Sequence, residues 1–72
     1  MTGNELLRKI KRLGREHGVV VNFDAAHGDG SHGTLYYGSR RTTLKDRKED
    51  IGRGLLHKML ADLGLTVREL NQ

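Results

Sequence analysis

The sequence predicts an α+β domain in which two helices and a three-stranded antiparallel sheet follow the order α-β-β-β-α. Apolar residues recur at helical spacing near both ends of the chain, and short segments with strand character lie between them. A chain of 72 residues makes one small domain, which buries only about 60% of its unfolded surface. We therefore expect residues 1–72 to form a single domain, with both helices on one face of the sheet.

The first helix is predicted over about residues 4–17. Thr2 and Glu5 have the spacing of a capping box, and Gly18 is a natural C-terminal stop. The apolar face of this helix is formed by Leu6, Leu7, Ile10 and Leu13, with His17 continuing the stripe. His17 is expected to contact the last carbonyls of the helix.

The three strands follow the first helix. Residues 19–23 are short and β-branched, which predicts the first strand, and residues 24–30 are a predicted loop. Residues 31–37 and 40–45 are predicted to form a hairpin around Gly38-Ser39. Glycine at the first turn position is typical of a type II′ turn.

The second helix is predicted to start near Gly52 and to end at Gly64. Between them one helical face carries Leu55, Leu56, Met59, Leu60 and Leu63. His57 on this helix is expected at the surface. Thr66 and Glu69 then allow a short final turn.

The two-residue turn also predicts which residues of the hairpin are paired. Tyr37 then pairs with Arg40, Tyr36 with Arg41, and so on down to His32 with Lys45. Alternation places the apolar set against the helices, namely Gly33, Leu35, Tyr37, Thr42 and Leu44. The opposite, open face carries His32, Thr34, Tyr36, Arg41, Thr43 and Lys45.

Basic residues exceed acidic ones by 13 to 9, which gives a net charge of +4. One cluster consists of Arg40, Arg41, Lys45, Arg47 and Lys48, and a second consists of Arg8, Lys9, Lys11, Arg12 and Arg15. Such clusters attract polyphosphates, but they are also common on ordinary solvated surfaces. The charge alone is therefore only suggestive.

Several classes of protein and site are disfavoured by the sequence. The absence of cysteine excludes disulfides, and no continuous apolar run suits a signal peptide or membrane span, so a cytoplasmic protein is expected. No P-loop motif is present, and Ser31 has no His-Asp partners at triad spacing. Asp24, His27, Asp29 and His32 could bind a divalent cation, but an aspartate-rich turn explains them more simply. No metal or cofactor is expected.

The order of elements, together with particular residues, resembles a known family. The residues are Gly30-Ser31-His32 before the second strand, the turn segment Gly38-Ser39-Arg40-Arg41-Thr42-Thr43, and the C-terminal segment from Gly54 to Leu65. In these residues and in the order of its elements, the chain is similar to the HicA toxins over nearly its whole length. Members often carry a basic residue before Gly-Ser-His and a second histidine after it, whereas this chain has Asp29 and Gly33.

This resemblance implies a double-stranded-RNA-binding-domain-like fold and the activity of an mRNA interferase that a HicB antitoxin neutralises. The family's catalytic histidine corresponds to His32. RNA supplies its own 2′-hydroxyl nucleophile, so cleavage needs a base, cations and an acid rather than a metal, and an imidazole with an ordinary pKa of about 6.5 can act as the base. The RNA contacts implied are Ser31, Tyr36, Arg40, Arg41 and Lys45.

Two function classes remain open from the sequence. The preferred one is a metal-independent ribonuclease toxin that acts on mRNA, is monomeric when free and is hetero-oligomeric with its antitoxin. The other is a non-catalytic RNA-binding module that uses the same basic face. Tyr36 could equally be a structural sheet aromatic, and Arg41 and Lys45 could be ordinary solvated strand ends.

Overall fold

The computed structural model describes residues 1–25 and 32–71. Three helices and three strands follow one another in the predicted order, the third helix being the predicted final turn. Their bounds are α1 Gly3–His17, β1 Val21–Ala25, β2 Gly33–Tyr37, β3 Arg40–Leu44, α2 Arg53–Asp62 and α3 Val67–Leu70. Most of the predicted loop lies outside the described residues.

Local signals in the sequence explain both ends of α1. The Thr2 hydroxyl accepts a hydrogen bond from the Glu5 backbone N–H at 3.2 Å, and the Glu5 carboxylate faces the Thr2 backbone N–H at 3.5 Å. At the other end Gly18 adopts the left-handed conformation, with φ of 69°. The predicted capping box and glycine stop are both confirmed.

The first strand begins two residues later than predicted. The Val19 N–H donates to the carbonyl of Gly14 at 2.8 Å, so Val19 still belongs to the turn that ends α1. Val20 is 70% exposed. β1 therefore starts at Val21, and its ladder with β2 runs from Val21 opposite Tyr37 to Ala25 opposite Gly33. β-branched character alone predicted the wrong boundary because it does not detect this helix-ending hydrogen bond.

The hairpin of β2 and β3 has the predicted register, with Tyr37 opposite Arg40 and Tyr36 opposite Arg41. Gly38 has φ of 62°, and no described residue other than glycine has positive φ, which agrees with a type II′ turn. The sheet order is β1-β2-β3, all antiparallel.

The far end of this hairpin is shorter than predicted. The ladder ends at Gly33 opposite Leu44, so the expected pair of His32 with Lys45 is not part of it. Both residues lie just outside this last ladder pair. Ser31, the first residue of the predicted strand, lies outside the described residues.

One apolar core lies between the helices and one face of the sheet. Leu35, Tyr37 and Leu44 of the sheet are at most 9% exposed, and they join buried residues of every helix. The helical members of the core include Leu6, Ile10, Leu13, Met59, Leu60 and Leu70. The predicted apolar face is therefore confirmed, and the helices cover that face only.

Glycine residues flank α2 at both ends, as the sequence predicts. Gly52 is the N-cap of α2 and Gly64, with φ of 73°, follows its C-cap Leu63. Thr66 and Glu69 form a capping box for α3, in which the Glu69 N–H donates to the Thr66 hydroxyl at 3.2 Å. No helix within the described ranges has both the length and the apolar character to cross a membrane.

Candidate functional site

His32 is exposed and immediately precedes β2. The strand order places it at the end of the sheet where β1 ends and where the chain leaves β3 at Lys45. Lys45 is also exposed, and the two residues flank the terminal ladder pair of Gly33 and Leu44. An accessible imidazole and an accessible ammonium group therefore occur at the same end of the hairpin.

The face of the sheet opposite the core is polar and lies next to this end. The register forms two rows of residues across the three strands. The row nearer to His32 consists of Asp24, Thr34 and Thr43, and the row farther from His32 consists of Asn22, Tyr36 and Arg41. Thr34 and Tyr36 on the central strand are half-buried, and the other four residues are exposed. From here on the name open face refers to these six residues; His32 and Lys45, which the sequence placed on the same face, lie just beyond the last ladder pair.

Distance along the strand separates the cations that the sequence grouped together. Lys45 adjoins the end of the ladder that carries His32, whereas Arg41 pairs with Tyr36, four residues further along β2. Four residues of strand correspond to about 14 Å. Lys45 and Arg41 are thus suited to different parts of an extended ligand.

Arg40 is not on the open face. It pairs with Tyr37, whose side chain is buried in the core, and its guanidinium lies against the turn after α2. A Cβ added at Gly64 would be 3.0 Å from Arg40 Nε. The structure therefore brings Arg40 to the helical side of the sheet and separates it from Tyr36 and Arg41.

A groove with a volume of about 650 Å³ runs between β3 and α2. Three cations line it, namely Arg41 and Lys45 from the sheet and Lys58 from the helix. The apolar part of its wall comes from Leu55 and Met59. Sequence reasoning missed Lys58 and Leu55, because nothing in the pattern of α2 shows which part of its exposed surface faces β3.

Among the described residues that line this groove Asp62 is the one carboxylate, and it already has two partners. The Thr42 hydroxyl donates to Asp62 Oδ2 at 2.9 Å, and Lys58 Nζ donates to the same oxygen at 3.1 Å. The hydrogen bond from Thr42, and after it the one from Lys58, lower the pKa of Asp62. The ionised carboxylate thereby ties β3 to α2 and fixes the width of the groove.

The second basic cluster lies along α1. Two of its members bind the C-terminal end of the chain: Arg12 Nη2 donates to the carbonyl of Leu70 at 3.0 Å, and Lys9 Nζ donates to Asn71 Oδ1 at 3.4 Å. Arg8, Lys11 and Arg15 are exposed. Part of this cluster therefore has a structural role in holding α3 against α1.

The other histidines differ in their surroundings. His17 Nδ1 lies 3.1 Å from the hydroxyl of Tyr37, so the contact that the structure gives it is with β2 rather than with the helix carbonyls. His57 is exposed on α2, as predicted.

Two of the four residues of the alternative metal site, Asp24 and His32, lie within the described residues. Asp24 is exposed at the edge of the open face, whereas His27 and Asp29 lie outside the described residues. Within residues 1–25 and 32–71 no group of three or more potential metal ligands comes together.

Comparisons with known proteins do not identify a relative. No family model matches the sequence, and neither a curated protein nor a solved structure matches the chain.

Proposed function

We propose that this protein is a metal-independent ribonuclease toxin of the HicA type, an mRNA interferase with a double-stranded-RNA-binding-domain-like fold. The observation that carries the proposal is the position of His32: an exposed imidazole at the end of β2, with Lys45 at the same end and the open face beside it. The order of helices and strands, with the helices on one face of the sheet, fits that fold class and supports the proposal.

In the proposed reaction His32 removes the proton from the 2′-hydroxyl of the RNA. The resulting alkoxide attacks the adjacent phosphorus to form a 2′,3′-cyclic phosphate, the bond to the 5′-oxygen breaks, and the leaving oxygen takes a proton from water or from the imidazolium formed in the first step. Negative charge on the phosphate oxygens increases on the way to the transition state, and Lys45 is the cation best placed to stabilise it. Because the nucleophile belongs to the substrate, the reaction needs no metal-bound water and no cofactor.

The open face supplies the binding surface for the RNA in this proposal. Tyr36 lies between Asn22 and Arg41 in the register and is only half-buried, so part of its side chain is accessible for stacking on a base. Arg41 contacts a phosphate about 14 Å from the level of His32 along the strand. Ser31 stays a predicted RNA contact, and Arg40 is the weakest of the predicted contacts because it packs against the turn after α2.

Regulation follows from the exposure of the same residues. An enzyme that cuts cellular mRNA in the cytoplasm must be silenced, and an antitoxin of the HicB type covering His32 and the open face would do this. We propose that the toxin is a monomer when free and a hetero-oligomer in that complex.

A second candidate is a non-catalytic RNA-binding module. The pair formed by Tyr36 and Arg41 favours it, because stacking and phosphate binding on the open face do not require a base.

The exposed histidines allow a matched experiment that separates the two candidates. Purified wild-type protein, His32→Ala and His57→Ala are incubated with single-stranded RNA in EDTA, and cleavage is followed on denaturing gels. We expect His32→Ala to lower the cleavage rate by about 10²-fold or more, as loss of a general base does. RNA affinity, measured by fluorescence anisotropy, should stay within about threefold of wild type, since an exposed side chain contributes little to folding or to backbone contacts.

His57→Ala should cut RNA at the wild-type rate, because it changes an equally exposed histidine on α2. Binding without cleavage by the wild type would favour the RNA-binding module. Cleavage by His32→Ala at the wild-type rate would contradict the role of His32.

A further inference from the structure

We propose that the groove between β3 and α2 is a binding site for one nucleoside phosphate. The phosphate would contact Lys45, Lys58 and Arg41, and the sugar or base would pack on Leu55. That the bound nucleotide is the one next to the cleaved phosphate of an RNA strand rests on the proposed function. The affinity of the groove for a free nucleotide does not depend on that function.

The charges in the groove favour an anion. Its described lining residues include three cations and one carboxylate, Asp62, which accepts hydrogen bonds from Thr42 and Lys58. Within the described part of the chain no carboxylate is within ion-pair distance of Arg41 or Lys45. Among the described residues, two positive charges at the mouth of the groove therefore have no carboxylate partner, and phosphate oxygens can pair with such charges.

An exposed apolar side chain beside these cations makes the site more selective than a simple anion site. Leu55 is 43% exposed. Within the described residues, Val20 is the only other large hydrophobic residue that is exposed. Met59, which is 2% exposed, lies beneath it in the groove wall. A ligand that is anionic at one end and apolar and flat at the other uses both surfaces, and a nucleoside phosphate has this character.

The groove also lies next to the proposed catalytic end. Thr34 on β2 and Thr43 on β3 are opposite each other, and both line the groove. They form the second pair from the end of the ladder. That row is about 7 Å from the level of His32 and Lys45, counting two residues of strand. The threonine hydroxyls can donate to or accept from a ribose 2′-hydroxyl at that position.

Other occupants fit these residues less well. Inorganic phosphate would use the cations but not Leu55. An acidic peptide added as a strand to the outer edge of β3 would need pockets for alternate side chains, whereas the groove offers one apolar patch, formed by Leu55 and the buried Met59, among cations. The combination of features therefore favours the nucleotide.

The full chain can be titrated with adenosine 3′-monophosphate and followed by ¹H–¹⁵N NMR, with inorganic phosphate and adenosine as separate titrants. We expect saturable shifts in residues 41–45 and 55–62, with phosphate alone and adenosine alone each binding at least about tenfold more weakly. Lys58→Gln should weaken binding of the nucleotide about tenfold through loss of a charge-assisted contact. Leu55→Gln should weaken it about fivefold and leave phosphate binding unchanged.

Two matched variants serve as controls. Lys11→Gln removes an exposed cation on α1 and Val20→Thr removes exposed apolar surface, and because neither residue lines the groove, both variants should bind the nucleotide like wild type. Equal affinity for phosphate and nucleotide, shifts confined to α1, or insensitivity to Lys58→Gln and Leu55→Gln would each overturn the proposal.

The test also separates this site from the proposed function. Nucleotide binding in the groove by a protein that leaves RNA uncut would retain the site and contradict the ribonuclease. RNA cleavage that depends on His32, by a protein whose groove does not bind the nucleotide, would do the reverse.

Discussion

Replacing Gly14 by alanine tests how α1 is seated on the sheet. In an isolated helix, alanine in place of an interior glycine stabilises by about 1 kcal/mol. Here a Cβ at residue 14 would be 2.7 Å from the carbonyl oxygen of Val19 and would collide with Val21 Cγ2. Val19 cannot retreat freely, because its own N–H donates to the carbonyl of Gly14 at 2.8 Å. β-branched Val21 also has few alternative rotamers.

The expected magnitude follows from these two opposing effects. Overpacking against backbone and a stiff side chain costs about 2–3 kcal/mol, of which the helix propensity of alanine offsets about 1 kcal/mol. Gly14→Ala should therefore lower the free energy of unfolding by about 1–2 kcal/mol. For a domain of this size each kcal/mol corresponds to a fall in Tm of about 4–8 °C.

A second glycine supplies the control for this measurement. Gly54 is in the first turn of α2, and an added Cβ there would meet nothing within 4 Å. Gly54→Ala should stabilise the protein by about 0.5–1 kcal/mol through helix propensity alone. Urea unfolding followed by circular dichroism measures both variants, with unchanged m-values. If Gly14→Ala were as stable as wild type, or if both variants shifted in the same direction, the proposed packing of α1 on β1 would be refuted.

Two titratable groups predict how stability depends on pH. Burial, assisted by the Glu69 carboxylate, raises the pKa of Tyr37 above its usual value of 10.0, so stability should fall as the pH rises above that value and the unfolded phenol ionises first. Urea unfolding between pH 8 and 11 should show a flatter profile for Tyr37→Phe, and an unchanged profile would contradict the assignment. The lowered pKa of Asp62 contributes stability that is present above its usual value of 3.8 and lost as the pH falls through the native pKa. Thr42→Val removes the main cause, so an NMR titration should find the pKa of Asp62 higher than in wild type; an equal pKa would contradict the role of Thr42.

Local signals explain why much of the fold could be predicted. The capping boxes of α1 and α3 each involve residues three apart, and the hairpin register depends on a turn of two residues. Such short-range interactions are visible in the sequence itself. The alternation along β2 and β3 then identified the open face, including the neighbours Tyr36 and Arg41.

The differences arise where distant segments meet. β1 starts at Val21 because the end of α1 holds Val19, which a strand propensity does not detect. Arg40 leaves the predicted site because the turn after α2, marked by Gly64, packs against its guanidinium. The start of β1 therefore depends on a contact that sequence spacing does not encode, whereas the side of the sheet on which Arg40 lies follows from its pairing with Tyr37.

The sequence by itself therefore determined the order of elements, the approximate ends of both longer helices and the hairpin register. Each of these depends on residues close together in the chain or on the period of a single element. The tertiary structure decided which cations share a surface. Packing of α2 against β3 brings Lys58 and Leu55 beside Arg41 and Lys45, and the hydrogen bonds of Asp62 to Thr42 and Lys58 hold that arrangement.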